Sequence, residues 1–158
     1  MNIKRWILIV ARLAVAAIFI YSAVAKLREP WIQFAISIES FKIVPDTVLE
    51  PMARTLPWLE LAAGLGVLIN VLAGWAALAT ALMLVVFNLA GIIAYSKGLV
   101  VDCGCFGSGA ADPIGPKWFA EHAAMLVLSV LVTFFCFRRP PVNPPTATST
   151  AAKAEAIA

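Results

Sequence analysis

The chain has 158 residues, a formal net charge of +3, 62% hydrophobic and 13% charged residues, and a mean hydropathy of +0.92. A water-soluble domain averages about 25% charged residues, so a self-contained soluble globule is excluded and the bilayer is the expected solvent. The small positive charge is not gathered into a basic run, which leaves membrane lipid rather than nucleic acid as the first partner.

Lys4 and Arg5 give a short cationic start. Trp6 to Ala25 carries one charge, Arg12, and about 20 apolar residues cross the hydrocarbon core as a helix. The rival reading is a cleaved signal peptide, with Lys4 and Arg5 as its basic region and Ala23-Val24-Ala25 as its cleavage site. Arg12 inside the apolar stretch opposes that reading. Lys26 to Leu56 is the longest polar interval. Pro30 can open a helix there, and Trp31, Phe34, Ile38 and Phe41 recur at helical spacing with Gln33, Ser37, Ser40 and Lys42 between them. This pattern predicts an amphipathic helix on the membrane surface, ended by Pro45. A second short helical piece is predicted from Asp46 to Arg54, capped by Asp46. The interval either shapes a substrate site or simply connects two spans.

Pro57 starts the next apolar stretch, and Leu61 to Ser96 contains no charge. As one helix that run would be about 54 Å long against a core of about 30 Å, so it must fold as two spans. The break is expected at Asn70 to Gly74, giving spans at about 57–72 and 75–96. Asn88, alone in the second of these, is expected to face the bundle interior and find a partner there. Lys97 to Lys117 is a Gly- and Pro-rich loop. A fourth span follows at 118–137, with Glu121 and His122 in its first turn and Arg138 and Arg139 at its end. Trp6, Trp58 and Trp118 lie near the edges of apolar runs, where interfacial aromatics belong. The predicted fold is therefore all-α: an integral membrane four-helix bundle over residues 1–139, with spans at about 6–25, 57–72, 75–96 and 118–137 and a surface amphipathic segment between the first two. Residues 140–158, rich in Pro, Ala and Thr, are expected to form a disordered tail.

The chemistry concentrates in Val101-Asp102-Cys103-Gly104-Cys105-Phe106-Gly107, where two of the three cysteines are separated by one glycine. Such a pair can close into a disulfide or open into a dithiol with little chain movement. Gly104 tolerates the unusual φ/ψ of a one-residue loop. A ring this small should be strained, and strained disulfides are the easily reduced ones. The pair reads as redox-active, as a structural disulfide, or as half a metal site. A zinc site needs four ligands and no second Cys or His cluster exists, so no metal is assigned. Phe106 and Gly107 add an apolar wall and a flexible point. Cys136 sits by Arg138, away from the pair, as a packing residue. Asp102 opposes thiolate formation at Cys103 by like-charge repulsion, or fixes the loop through backbone N–H groups.

Lys26 ends the first span and Glu60 opens the second, so antiparallel neighbours bring them together on the cysteine side. Charges in membranes are normally paired, and a Lys26–Glu60 contact is expected there, with the cation favouring a nearby thiolate. The alternative is that both reach interfacial water. His122, the single histidine, either takes a proton from a cysteine or is merely accommodated at the interface. Arg12 lies nearer the terminal side, where it snorkels or bonds Asn70. Four spans put both termini on one face. Lys4, Arg5, Arg138 and Arg139 sit tight against that face, and disulfide-forming pairs persist outside the cytosol. The cysteine loop is thus placed on the outer, periplasm-like face of an inner (plasma) membrane, with both termini cytoplasmic.

Arg12…Phe19-Ile20…Lys26-Leu27, Pro57…Glu60…Gly64 and Asp102-Cys103-Gly104-Cys105-Phe106-Gly107, in this order, resemble the MauE branch of the DoxX-like membrane proteins: the methylamine-utilisation protein MauE and its redox-associated relatives. The cysteine string is the specific element, and the likeness runs over roughly residues 6–137. Ala25 before Lys26, and Ser22 where a glycine-rich approach is expected, depart from the pattern. The resemblance implies a four-helix membrane protein tied to thiol–disulfide traffic beside a thioredoxin-like partner. For MauE itself it implies processing, transport or maturation of the disulfide-rich β-subunit of methylamine dehydrogenase. On this reading Cys103 and Cys105 react, supported by Asp102, Gly104, Phe106, Gly107, Lys26, Glu60 and His122. Their partners are a thioredoxin-like redox protein and an exported disulfide-containing protein. A quinone between the helices is a variant electron sink, although such relays usually use a second cysteine pair. The alternative is a non-enzymatic assembly or transport factor with the cysteines as a structural clip. Arg12, Asn88 and Glu60 are too few and scattered to define a solute carrier.

Overall fold

The computed structural model describes residues 3–101 and 113–138. These are all-α, with α1 at Ile3–Arg28, α2 at Trp31–Ser40, α3 at Asp46–Leu68, α4 at Ala73–Ser96 and α5 at Pro116–Phe137. Among the described residues three helices, α1, α4 and α5, are long and apolar enough to cross a membrane. α3 is long enough but carries Asp46, Glu50, Arg54 and Glu60.

α1 packs against α3 and α5, α4 packs against the same two helices, and α2 lies chiefly on α3. The shared core holds Val15 and Phe19 of α1, Val67 of α3, Ala77 and Leu84 of α4 and Val132 of α5. Trp58, Leu82, Val86, Leu89, Val127 and Leu131 are exposed, which gives the helices an apolar outer surface suited to lipid. α2 turns Phe34, Ala35 and Ile38 onto Leu49 and Ala53 of α3. Its stripe differs from the predicted one at Trp31, which stays partly exposed beneath the Arg54 guanidinium, 4.5 Å from the ring centroid. Lys42 follows α2 with φ of 52°, a left-handed turn residue that ends the helix before Pro45 caps α3.

The largest departure from the sequence reading is α3. The sequence predicts a short piece at 46–54 and a separate span at 57–72, whereas one helix runs from Asp46 through Pro51 and Pro57 to Leu68. Each proline removes one backbone bond, but Pro57 and Ala53 are buried, and packing holds the helix through both interruptions. The early end at Leu68 has a local cause. Arg12 of α1 donates to the Val67 carbonyl at 2.7 and 3.2 Å and to the Leu68 carbonyl at 3.2 Å, so orphan acceptors at the helix end are satisfied by a cation. Its Nη1 also reaches Asn70 Oδ1 at 3.0 Å. Asn88 differs as well: it donates to the Leu84 carbonyl one turn back in its own helix, at 2.7 Å. The stretch 140–158 lies outside the described residues.

Candidate functional site

Ser22 and Lys26 are four residues apart on α1 and so share one face, as do Glu60 and Gly64 on α3. Those two faces meet. A Cβ on Gly64 would lie 3.0 Å from Ile20 Cγ1 and 3.1 Å from Phe19 Cβ, so glycine sets how closely the helices approach. Lys26 leans back along its helix, as helical side chains do, and its Nζ donates to Ser22 Oγ at 2.8 Å. The same Nζ is 2.7 Å from both carboxylate oxygens of Glu60. Ser22 Oγ in turn donates to Glu60 Oε2 at 3.2 Å. The three ammonium hydrogens thus have three acceptors. Lys26 is 5% and Glu60 1% exposed, so this ion pair is fully withdrawn from solvent. Phe34 and Phe87 cover it, with ring centroids 5.1 and 5.9 Å from Nζ.

His122 faces the same group from α5. It lies beyond the first turn, because α5 begins at Pro116, and it is buried. Its ring stacks on Trp118 with centroids 3.8 Å apart, and Nδ1 is 3.0 Å from the Trp118 carbonyl. A carbonyl only accepts, so Nδ1 carries hydrogen and Nε2 is the position that can take or release a proton. Ser22, Lys26, Glu60, Phe87, His122 and Met125 wall a cavity of about 30 Å³. That is room for a water between the imidazole and the ion pair. A larger pocket of about 150 Å³ lies on the other side of Lys26 and Phe87, toward α2.

Three of the sequence-predicted residues, Lys26, Glu60 and His122, therefore converge. Cys103, Cys105, Asp102, Gly104, Phe106 and Gly107 lie outside the described residues. The described chain on either side of them is anchored at this end of the helices. The Ile114 N–H donates to the Val101 carbonyl at 3.1 Å, and Val101, Ile114, Ala94 and Trp118 form one buried cluster. Trp118 thus shares a buried cluster with both flanks of the cysteine loop and stacks on the imidazole. Among the described residues no three His, Cys, Asp or Glu side chains gather to hold a metal ion.

Sequence reasoning misses Ser22, which it treats as a departure, and the roles of Phe34, Phe87 and Trp118. The available signals are the four-residue spacings Ser22–Lys26 and Trp118–His122. Gly91 is also silent in the sequence. A Cβ there would sit 2.6 Å from Cη2 and Cζ3 of Trp118, so the indole beds directly on the α4 backbone.

The family model described as methylamine utilisation protein MauE matches residues 4–135, a stretch that contains every residue of this site and the cysteine loop. The chain belongs to the MauE family. A methylamine utilization protein MauE of Paracoccus denitrificans is 31% identical over 131 residues, covering 82% of this chain and 70% of that relative. MauE of Methylorubrum extorquens is 35% identical over 89 residues, 56% of this chain and 47% of the relative. MauE of Methylophilus methylotrophus is 32% identical over 96 residues, 60% and 50% respectively, so the chain spans about half the length of these last two MauE relatives. No solved structure matches the chain.

Proposed function

We propose that this MauE-family chain supports methylamine utilisation from the inner membrane, where Cys103 and Cys105 exchange disulfides with an exported partner. The observation that carries the reading is the desolvated Lys26–Glu60–Ser22 group facing His122, at the end of the helices where the flanks of the cysteine loop meet on Trp118. A proton-accepting imidazole is what a thiol needs beside it to react as thiolate. In the proposed exchange, a thiolate of the exported protein attacks the Cys103–Cys105 disulfide. That S–S bond breaks and a mixed disulfide forms. A second thiolate of the exported protein then resolves it, leaving a new disulfide there and a dithiol here. A thioredoxin-like disulfide reoxidises the dithiol by the same exchange and is itself reduced. The disulfide-rich β-subunit of methylamine dehydrogenase is the exported protein that the family resemblance suggests.

In this proposal α1, α3, α4 and α5 all span, as a four-helix bundle with both termini cytoplasmic and the cysteine loop outside. α3 crosses because its one buried charge, Glu60, is neutralised by Lys26, while Arg54 pairs with Glu50 on its exposed face. The test is Cys103→Ser/Cys105→Ser in a host growing on methylamine, reading both the disulfides of the exported subunit and the amount of this protein in the membrane. Lost disulfides at normal membrane levels support exchange. Loss of the protein itself marks a structural clip, and unchanged disulfides refute any role for the pair. Labelling of the reduced cysteines by an impermeant thiol reagent from the outer face checks the topology.

A further inference from the structure

We propose that the end of the bundle where α3 stops holds an anionic phospholipid, with its phosphate seated against Arg12 and Asn70. A pocket of about 270 Å³ opens there between α1 and the α3–α4 turn, lined by Ile9, Arg12, Leu13, Leu68 and Asn70. A space of about 150 Å³ holds a benzene ring, so a phosphate diester has room here. The Arg12 guanidinium has five hydrogens, and its bonds to the Val67 and Leu68 carbonyls and to Asn70 Oδ1 engage Nε, Nη2 and one hydrogen of Nη1. The second Nη1 hydrogen and the Asn70 amide hydrogens have no partner among the described residues, and Asn70 is exposed. The charge is unmatched as well. The end of a helix offers about half an elementary negative charge, so Arg12 stays net positive. The described acids lie elsewhere: Glu29, Glu39, Asp46 and Glu50 follow the far end of α1, Glu60 is spent on Lys26, and Glu121 is near the start of α5. Phe137 meets Trp75 at the start of α4, with centroids 5.4 Å apart, which brings Arg138 to the same end as Arg12, over the Phe134 ring. Charges in a membrane are normally paired, and here the anion has to come from outside the chain. The rim selects a lipid over a dissolved ion. Leu13 and Leu68 are 54% and 44% exposed on the apolar outer surface, so an anion in the pocket has hydrocarbon beside it, where glycerol and acyl chains fit. A zwitterionic headgroup suits the site less, because its ammonium would add a cation to an end that already carries two.

The site requires only that the helices stand in a bilayer, and it is independent of the thiol chemistry. The full-length protein in a nonionic detergent is titrated with short-chain phosphatidylglycerol, with phosphatidylcholine of the same chain length and with inorganic phosphate. Phosphatidylglycerol should bind most tightly. Asn70→Asp keeps an oxygen acceptor for Arg12, and so keeps the end of α3, but it sets a carboxylate in the pocket and removes both amide hydrogens. It should weaken phosphatidylglycerol binding about tenfold, while amide exchange from Val67 to Ile69 stays as slow as in the parent protein. Leu13→Glu, which sets the acid on the exposed rim instead, should weaken binding too and serves as the test if Asn70→Asp does not fold. Arg138→Gln removes a charge from the same end but outside the pocket, and should change affinity by about twofold at most. Equal affinity for the two lipids, or unchanged binding in either folded pocket variant, overturns the proposal. Inorganic phosphate bound as tightly as phosphatidylglycerol overturns the lipid and leaves a simple anion site. A loss in Arg138→Gln as large as in Asn70→Asp overturns the pocket in favour of diffuse attraction to the whole cationic end.

Discussion

Lys26→Met leaves the Glu60 carboxylate, 1% exposed, with Ser22 Oγ at 3.2 Å as its remaining side-chain partner among the described residues. Glu60→Gln leaves a buried ammonium facing a neutral amide. At 2.7 Å and an effective dielectric of about 20, the attraction between the two charges is about 6 kcal/mol. Desolvating two ions costs several kcal/mol each, so the intact pair contributes little net stability. Removing one member is different, because the other stays buried without compensation at a cost of about 3–5 kcal/mol. We expect each single change to destabilise by about 3 kcal/mol or more, with Glu60→Gln the milder because its amide oxygen still accepts from Nζ. The double change should cost clearly less than the two added together, with a coupling of up to about 3 kcal/mol. The cycle is read by reversible unfolding of detergent-purified protein, with the alkylation rate of Cys103 and Cys105 as a second readout. Additive penalties within about 0.5 kcal/mol in the unfolding series would show that the charges do not depend on each other, and the site would lose its centre.

Ser22→Ala removes the hydroxyl that bridges the pair and should cost about 1 kcal/mol in the same unfolding assay; no change would mean the bridge is dispensable. Gly91→Ala should destabilise by about 1–3 kcal/mol by pushing on Trp118, and the penalty should shrink in a Trp118→Phe background, where the ring is shorter. Equal penalties in both backgrounds would contradict the close approach of indole and backbone. Arg12→Met should fray the end of α3, seen as faster amide exchange from Val67 to Asn70, and unchanged exchange would show that the helix end holds without its cation. The Cys103–Cys105 couple should titrate above about −300 mV, as easily reduced disulfides do; a lower value identifies a stable staple.

What the sequence discloses best here is charge in an apolar setting. Arg12, Asn70, Lys26 and Glu60 stand out because a polar group in hydrocarbon must find a partner, and the pairings Arg12–Asn70 and Lys26–Glu60 follow from helix order alone. The division of the charge-free run 61–96 is legible for the same reason, since its length exceeds one bilayer crossing. α3 is illegible at Pro51 and Pro57, where local chemistry argues for a break and packing on α1 and α2 overrides it. Asn88 misleads in the opposite sense, because its own helix offers an acceptor closer than any neighbour. The burial of His122 and the bed at Gly91 depend on which helices meet, and nothing local to those residues encodes that, whereas the stack of His122 on Trp118 follows from their four-residue spacing within α5.

The way α1 serves α3 bears on how the chain is made. α1 carries both cations that α3 needs, one for its mid-helix acid and one for its terminal carbonyls. α3 is also the long helix that composition alone does not mark for membrane entry. Translated in order, α1 emerges first with two positive groups awaiting partners, and α3 follows with the matching negative ones. α1 is apolar enough to cross by itself, whereas α3 has partners for Glu60 and for its terminal carbonyls only once it docks on α1. Biogenesis of this protein should therefore hinge on α1 being retained beside the insertion machinery until α3 arrives. Substitutions at Lys26 or Glu60 would then show up first as failed integration of α3, with the finished fold never reached.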